Sequence, residues 1–136
     1  MRLRTIRQTA TFKVSPHEVY EALMDSGKHS EFTGDKAVIS RALGGKFTVF
    51  DGYAEGTNLE LIPDQKIVQF WRASDWPEGH YSRATFDLLE TAGATRLTFT
   101  QTGVPEEFFE DIKTGWRQYY WKPLKAMLEK KEKVHP

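Results

Sequence analysis

The chain has 136 residues, 39% hydrophobic and 13% aromatic, which suits one domain with a substantial core. Nineteen Lys and Arg balance nineteen Asp and Glu, so no net charge draws the chain toward nucleic acid or an anionic membrane surface. Cysteine is absent, which excludes disulfides, thiolate nucleophiles and cysteine-ligated metal sites.

The N-terminus, Met-Arg-Leu-Arg-Thr-Ile-Arg, lacks the continuous apolar stretch of a signal peptide, and no window approaches a membrane span. A cytoplasmic protein is expected. Residues 2–14 alternate, with Ile6, Ala10, Phe12 and Val14 on one face and Arg7, Thr9, Thr11 and Lys13 on the other. That period of two predicts a half-buried strand. A helix should follow. Ser15 can cap it, Pro16 suits the first helical position, Glu18 completes a capping box, and Val14 with Val19 occupies the positions of a hydrophobic staple. Val19, Tyr20, Leu23 and Met24 form its apolar stripe, and Ser26-Gly27 is read as its stop. A short helical turn is expected around His29 to Phe32.

From about residue 36 to 103 the pattern is strand and turn. Apolar runs at 37–39, 47–50, 59–62, 67–71, 84–89 and 97–99 alternate with turn signals such as Gly44-Gly45, Asp51-Gly52, Pro63-Asp64 and Ala92-Gly93. Such close spacing predicts an antiparallel meander rather than βαβ units. Residues 105–132 read as one long helix that Pro105 can start, with acids (Glu106, Glu107, Glu110, Asp111) early and lysines late, complementing the helix dipole. Phe108, Ile112, Trp116, Tyr119, Tyr120, Leu124, Met127 and Leu128 supply its apolar stripe. Gly115 suggests a close backbone approach to the sheet, and Pro123 should remove a helical hydrogen bond and bend the helix near Tyr119. The expected fold is α+β: a curved antiparallel sheet wrapped around a long C-terminal helix, the helix-grip arrangement.

Gly44-Gly45-Lys46-Phe47, Phe50-Asp51-Gly52, Trp71-Arg72, Trp76-Pro77-Glu78-Gly79-His80 and Gly115-Trp116 with Tyr119-Tyr120 resemble the activator of heat-shock protein 90 ATPase family. The likeness is to its C-terminal-type domain, a branch of the START-like (SRPBCC) superfamily, and it runs over nearly the whole chain. It implies a single START-like domain over residues 1–136 and a partner, a heat-shock protein 90 homologue, whose ATPase the domain would stimulate. Small relatives of this type imply a second reading: a carrier or sensor of a small apolar or aromatic ligand held between sheet and helix. The chain starts directly at the first strand, without the domain that precedes this one in the full-length co-chaperone, so weak partner affinity is expected.

No catalytic set emerges beside this. His17, His29, His80 and His135 show no i, i+4 pairing for a metal. Gly44-Gly45-Lys46 lacks the longer loop and the Ser or Thr of a phosphate-binding motif, and runs into a strand. The serines have no visible base, and the acids at 106–111 are a dipole complement before they are a carboxylate pair. The reading is therefore a non-enzymatic binding domain with no cofactor, no metal, no nucleic acid and no membrane. The aromatic inventory carries the site expectation. Phe47, Trp71, Phe86, Phe99, Trp116 and Tyr120 are the candidates to line an interior cavity, with Gln69 and Gln101 as its polar groups. Asp75, Trp76, Pro77 and Glu78 are the candidates to contact a partner, because a large indole in a turn is hard to pack; the equal alternative is that Trp76 folds back as a lid on the sheet's edge.

Overall fold

The computed structural model describes residues 1–133. His135 lies outside the described residues. Strand β1 (Leu3–Phe12) leads to helices α1 (Pro16–Met24) and α2 (Ser26–Thr33). Six strands follow: β2 (Val38–Ile39), β3 (Lys46–Val49), β4 (Ala54–Ile62), β5 (Lys66–Ala73), β6 (Ser82–Thr91) and β7 (Ala94–Pro105). They form one antiparallel sheet in the order β1-β7-β6-β5-β4-β3-β2. The meander is the expected one. β1 joins it at the far end, with Ile6 opposite Gln101 and Phe12 opposite Thr95, so α1 and α2 carry the chain from one sheet edge to the other.

The helix start at Ser15 is confirmed: its Oγ accepts from the Glu18 N–H, and Val14 and Val19 are both buried. The helix stop differs from the expected one. Asp25 ends α1 and at once caps α2, its carboxylate accepting the Lys28 N–H at 2.9 Å. Ser26-Gly27 therefore opens a second helix, which ends where Gly34 takes a left-handed conformation (φ 77°).

After β7 the chain makes a 3-10 turn (Glu106–Phe108), helix α3 (Phe109–Gly115), a π-helical turn (Trp116–Trp121) and helix α4 (Lys122–Lys133). Pro123 has no N–H for the carbonyl of Tyr119, and the Lys122 N–H donates five residues back to Arg117. The hydrogen bond that Pro123 removes is thus absorbed by a widened turn within a continuous helix. The widened turn also brings residues 116, 120 and 121 to one face, so Trp116, Tyr120 and Trp121 are all buried. A strict 3.6-residue stripe had admitted Tyr119 instead; that side chain is 56% exposed. Gly115 does not mark a close approach: a Cβ there would sit 3.7 Å from the Tyr119 ring, an ordinary contact. Gly56 is the glycine that packing requires, since a Cβ on it would collide with the carbonyl of Phe70 on the paired strand.

Candidate functional site

Tyr120 separates two spaces of very different size. On the sheet side lies a pocket of about 10 Å3, lined by Leu23, His29, Ile39, Phe47, Gln69 and Phe86 among others. That holds one water at most. On the other side a groove of about 750 Å3 opens to solvent between the C-terminal helix, the end of α2 and the β3–β4 turn.

The inner region is closed because its polar groups have found one another. His29 Nδ1–H donates to the Leu23 carbonyl at 3.1 Å, and its Nε2 accepts the Tyr120 hydroxyl at 2.9 Å. Burial holds the His29 imidazole down to about 4 and pushes the Tyr120 hydroxyl far above its ordinary value. The two glutamines expected to face a cavity both point inward, as their strand faces implied. Gln69 donates to Asn58, whose amide in turn holds the Ser40 and Ala42 carbonyls. Gln101 accepts the Trp116 indole N–H at 2.7 Å and donates to Ser82. The π turn adds a pair that sequence reasoning missed: Trp121 donates to Gln8 at 2.7 Å, and Gln8 donates to the Lys113 carbonyl. Trp121 lies outside the regular helical stripe, so only the extra residue in the turn reveals it.

The six candidate cavity residues consequently divide. Phe47 and Phe86 face the small inner pocket; Phe99 packs under Trp116 with ring centroids 4.3 Å apart. Trp71 and Trp116 line the outer groove, and Tyr120 lines both spaces. Among the described residues, the space they enclose on the sheet side is about 10 Å3, and the roomy space that Trp71, Trp116 and Tyr120 line is the open groove.

The groove has its own construction. Phe50, Asp51 and Gly52 are all left-handed (φ 54°, 54° and 92°), an unfavourable backbone for Phe in particular. The strained turn sets the Phe50 ring against Tyr119 and Tyr120, at 6.4 and 5.4 Å. Tyr53 and Tyr119 stand exposed at the rim with Asp35, Glu110 and Asp111. Burial first, then the charges of Asp75 and Asp111, raises the Tyr53 hydroxyl above its ordinary value.

The candidate partner loop adjoins this groove. Asp75 and Glu78 are exposed and Pro77 half-buried, but Trp76 is only 3% exposed: of the two placements expected for it, the folded-back one is found. It folds back onto Trp71, His80 and Phe108, at 5.4, 5.9 and 6.4 Å between ring centroids. Arg72 ties the loop down by donating to the Trp76 and Pro77 carbonyls. His80 is likewise structural, its Nε2–H donating to the Gly103 carbonyl at 2.8 Å. The indole N–H groups of Trp71 and Trp76 and the Nε of Arg72 are buried with no acceptor.

Among the described residues no three His, Cys, Asp or Glu side chains gather as metal ligands, and no helix is long and apolar enough to cross a membrane. The family model for Activator of Hsp90 ATPase homolog 1-like proteins matches residues 13–129. The human protein named Activator of 90 kDa heat shock protein ATPase homolog 1 is 34% identical over 115 residues, 85% of this chain and 34% of that protein. A Dictyostelium discoideum protein, Activator of 90 kDa heat shock protein ATPase homolog, is 29% identical over 132 residues, 96% of this chain and 34% of its own length. The chain therefore spans about a third of the curated relatives it matches. An HSP90 activator from Plasmodium falciparum has a solved structure that superposes with a TM-score of 0.86 at 26% identity, covering 92% of this chain and 96% of that one. The START-like helix-grip fold and these matches together show that this chain belongs to the family of Activator of Hsp90 ATPase homolog 1-like proteins.

Proposed function

We propose that this chain is a non-catalytic docking domain that binds a heat-shock protein 90 homologue in the cytoplasm and raises its ATPase rate. Membership of the family motivates the partner. The observation that carries the mode of action is the closed interior: a pocket of about 10 Å3 leaves no room for a cargo between sheet and helix, so binding falls to the surface. This weighs against a carrier of small apolar ligands.

The contact surface includes the loop Asp75–Gly79. Its exposed carboxylates flank a buried Trp76 whose N–H lacks an acceptor. A buried donor without a partner costs about 1–3 kcal/mol, so the loop is held in place less firmly than its aromatic packing alone implies.

The test is a titration of the heat-shock protein 90 homologue from the same organism, with ATP turnover as the readout. Stimulation at roughly micromolar concentrations is expected, equivalent to about −8 kcal/mol, and it should weaken in Trp76→Ala. No stimulation by the wild type far above that range would end the co-chaperone reading. Stimulation unchanged by Trp76→Ala would place the contact elsewhere.

A further inference from the structure

We propose that the groove beside Tyr119 docks an extended segment of a partner protein that carries lysine or arginine among apolar residues. This deepens the docking reading above and rests on it. The neutral total of 19 basic and 19 acidic residues conceals a segregation of charge across the C-terminal helix. The groove rim carries Asp35, Glu110 and Asp111, and no Lys, Arg or His lines it among the described residues. Asp75 stands just beyond, close enough to act on Tyr53. None of these four carboxylates enters an ion pair among the described residues. The helix dipole accounts for Glu110 and Asp111 at the start of α3, but not for Asp35 after α2 or Asp75 after β5. Three acids from two separate parts of the chain line one opening, and a fourth lies near Tyr53 at its rim.

The opposite flank of the helix carries the other sign of charge. A shallower space there is lined by Arg117, Lys122 and Lys125, and Lys125 already pairs with Glu129 at 3.0 Å and donates to the Thr11 carbonyl. The acidic side has no such internal partner.

The chemistry of the walls narrows the occupant further. The acids do not converge as metal ligands, so they suit several separated positive charges better than a single metal cation. Tyr53 and Tyr119 offer broad amphipathic faces of the kind that anchor protein contacts. Trp71, 4% exposed, adds a largely buried aromatic wall beneath them. Phe50 is held in the wall by a strained backbone, and such strain collects at binding sites. Cationic side chains for the rim and apolar ones for the aromatic wall together describe a basic, partly apolar peptide.

The test uses the full chain and two short capped peptides, one alternating lysine and leucine, the other glutamate and leucine. Binding is read by calorimetry and by tryptophan emission, since Trp71 and Trp116 sit in the wall. The lysine peptide should bind and the glutamate peptide should not. Raising salt from about 0.05 to about 0.5 M should weaken binding. The double variant Glu110→Lys with Asp111→Lys should lose at least about tenfold in affinity. Both positions are exposed, and an unchanged melting temperature establishes that the variant is folded. Tyr119→Ser should weaken binding with no change in salt dependence. Equal binding of both peptides, or affinity indifferent to the charge reversal, overturns the proposal. So does an uncharged aromatic probe that binds as tightly as the lysine peptide. Self-association in sedimentation that the charge reversal abolishes would assign the groove to a second copy of the chain instead. Failure of the ATPase titration with peptide binding intact would remove the chaperone and leave the groove assignment standing.

Discussion

The two sides of Tyr120 are built from the same residue types and end in opposite states. Toward the sheet, each polar group described above has a partner: His29 with Leu23 and Tyr120, Gln69 with Asn58, Gln101 with Trp116 and Ser82. Toward solvent, the groove and its adjoining loop collect what is left unsatisfied. These are two indole N–H groups, one guanidinium Nε, a left-handed Phe and four unpaired carboxylates. The buried donors and the left-handed Phe carry an energetic cost, whereas the exposed carboxylates are hydrated and free to meet a partner. The inner side accounts for stability and the outer side for binding.

If that division is right, mutations should separate along it. Trp116→Ala removes an indole packed between Phe99 and Tyr120 and strands the Gln101 carbonyl oxygen, so it should cost about 3–5 kcal/mol in denaturant unfolding. Tyr119→Ala, three residues on at the groove rim, should change stability by less than about 0.5 kcal/mol. A loss below about 1 kcal/mol for Trp116→Ala would break the comparison by showing that the interior is not the closed side.

Acid should also act on the inner side first. His29 is held at about 4 by burial, below its ordinary 6.5, so the unfolded chain binds the extra proton between those values. Stability is then complete above about pH 6.5 and falls as pH drops toward 4, by roughly 3 kcal/mol in all. Unfolding measured across this window should flatten in His29→Phe relative to wild type. An identical slope in both would mean that His29 does not titrate as its surroundings dictate.

Much of this was legible in the chain. The alternation in β1, the Ser15 cap and the turn dipeptides specify the meander and its direction, because each is a local signal with a local cause. The family resemblance was likewise carried by local features, the turns and aromatics quoted above. The site was less legible. The number of aromatics suggested a cavity, but whether rings leave a gap depends on how they interdigitate, and Gln8, Gln69 and Gln101 bind indoles and amides across 11 to 113 residues of chain. Trp121 was hidden because Pro123 converts the preceding turn to π geometry and shifts the buried stripe. The sequence leaves Trp76 between solvent and a folded-back position for want of visible packing partners, which come from Trp71 and Phe108. The groove acids were individually unremarkable; their proximity arises only when α2, β5 and α3 meet. A signal was present in Phe50-Asp51-Gly52, where a Phe beside Asp-Gly places a large ring on a turn.

The central claim is that this domain binds its partner on the unsatisfied outer side. The four indole N–H groups, two hydrogen-bonded (Trp116, Trp121) and two not (Trp71, Trp76), are reporters already in place. Their nitrogen–proton NMR signals, followed while the heat-shock protein 90 homologue is added, test the claim most directly. The account predicts that the Trp71 and Trp76 signals move as the groove and its adjoining loop are covered, while Trp121, on the far flank, stays where it is. Binding that moves Trp121 and leaves Trp71 and Trp76 unchanged would contradict it.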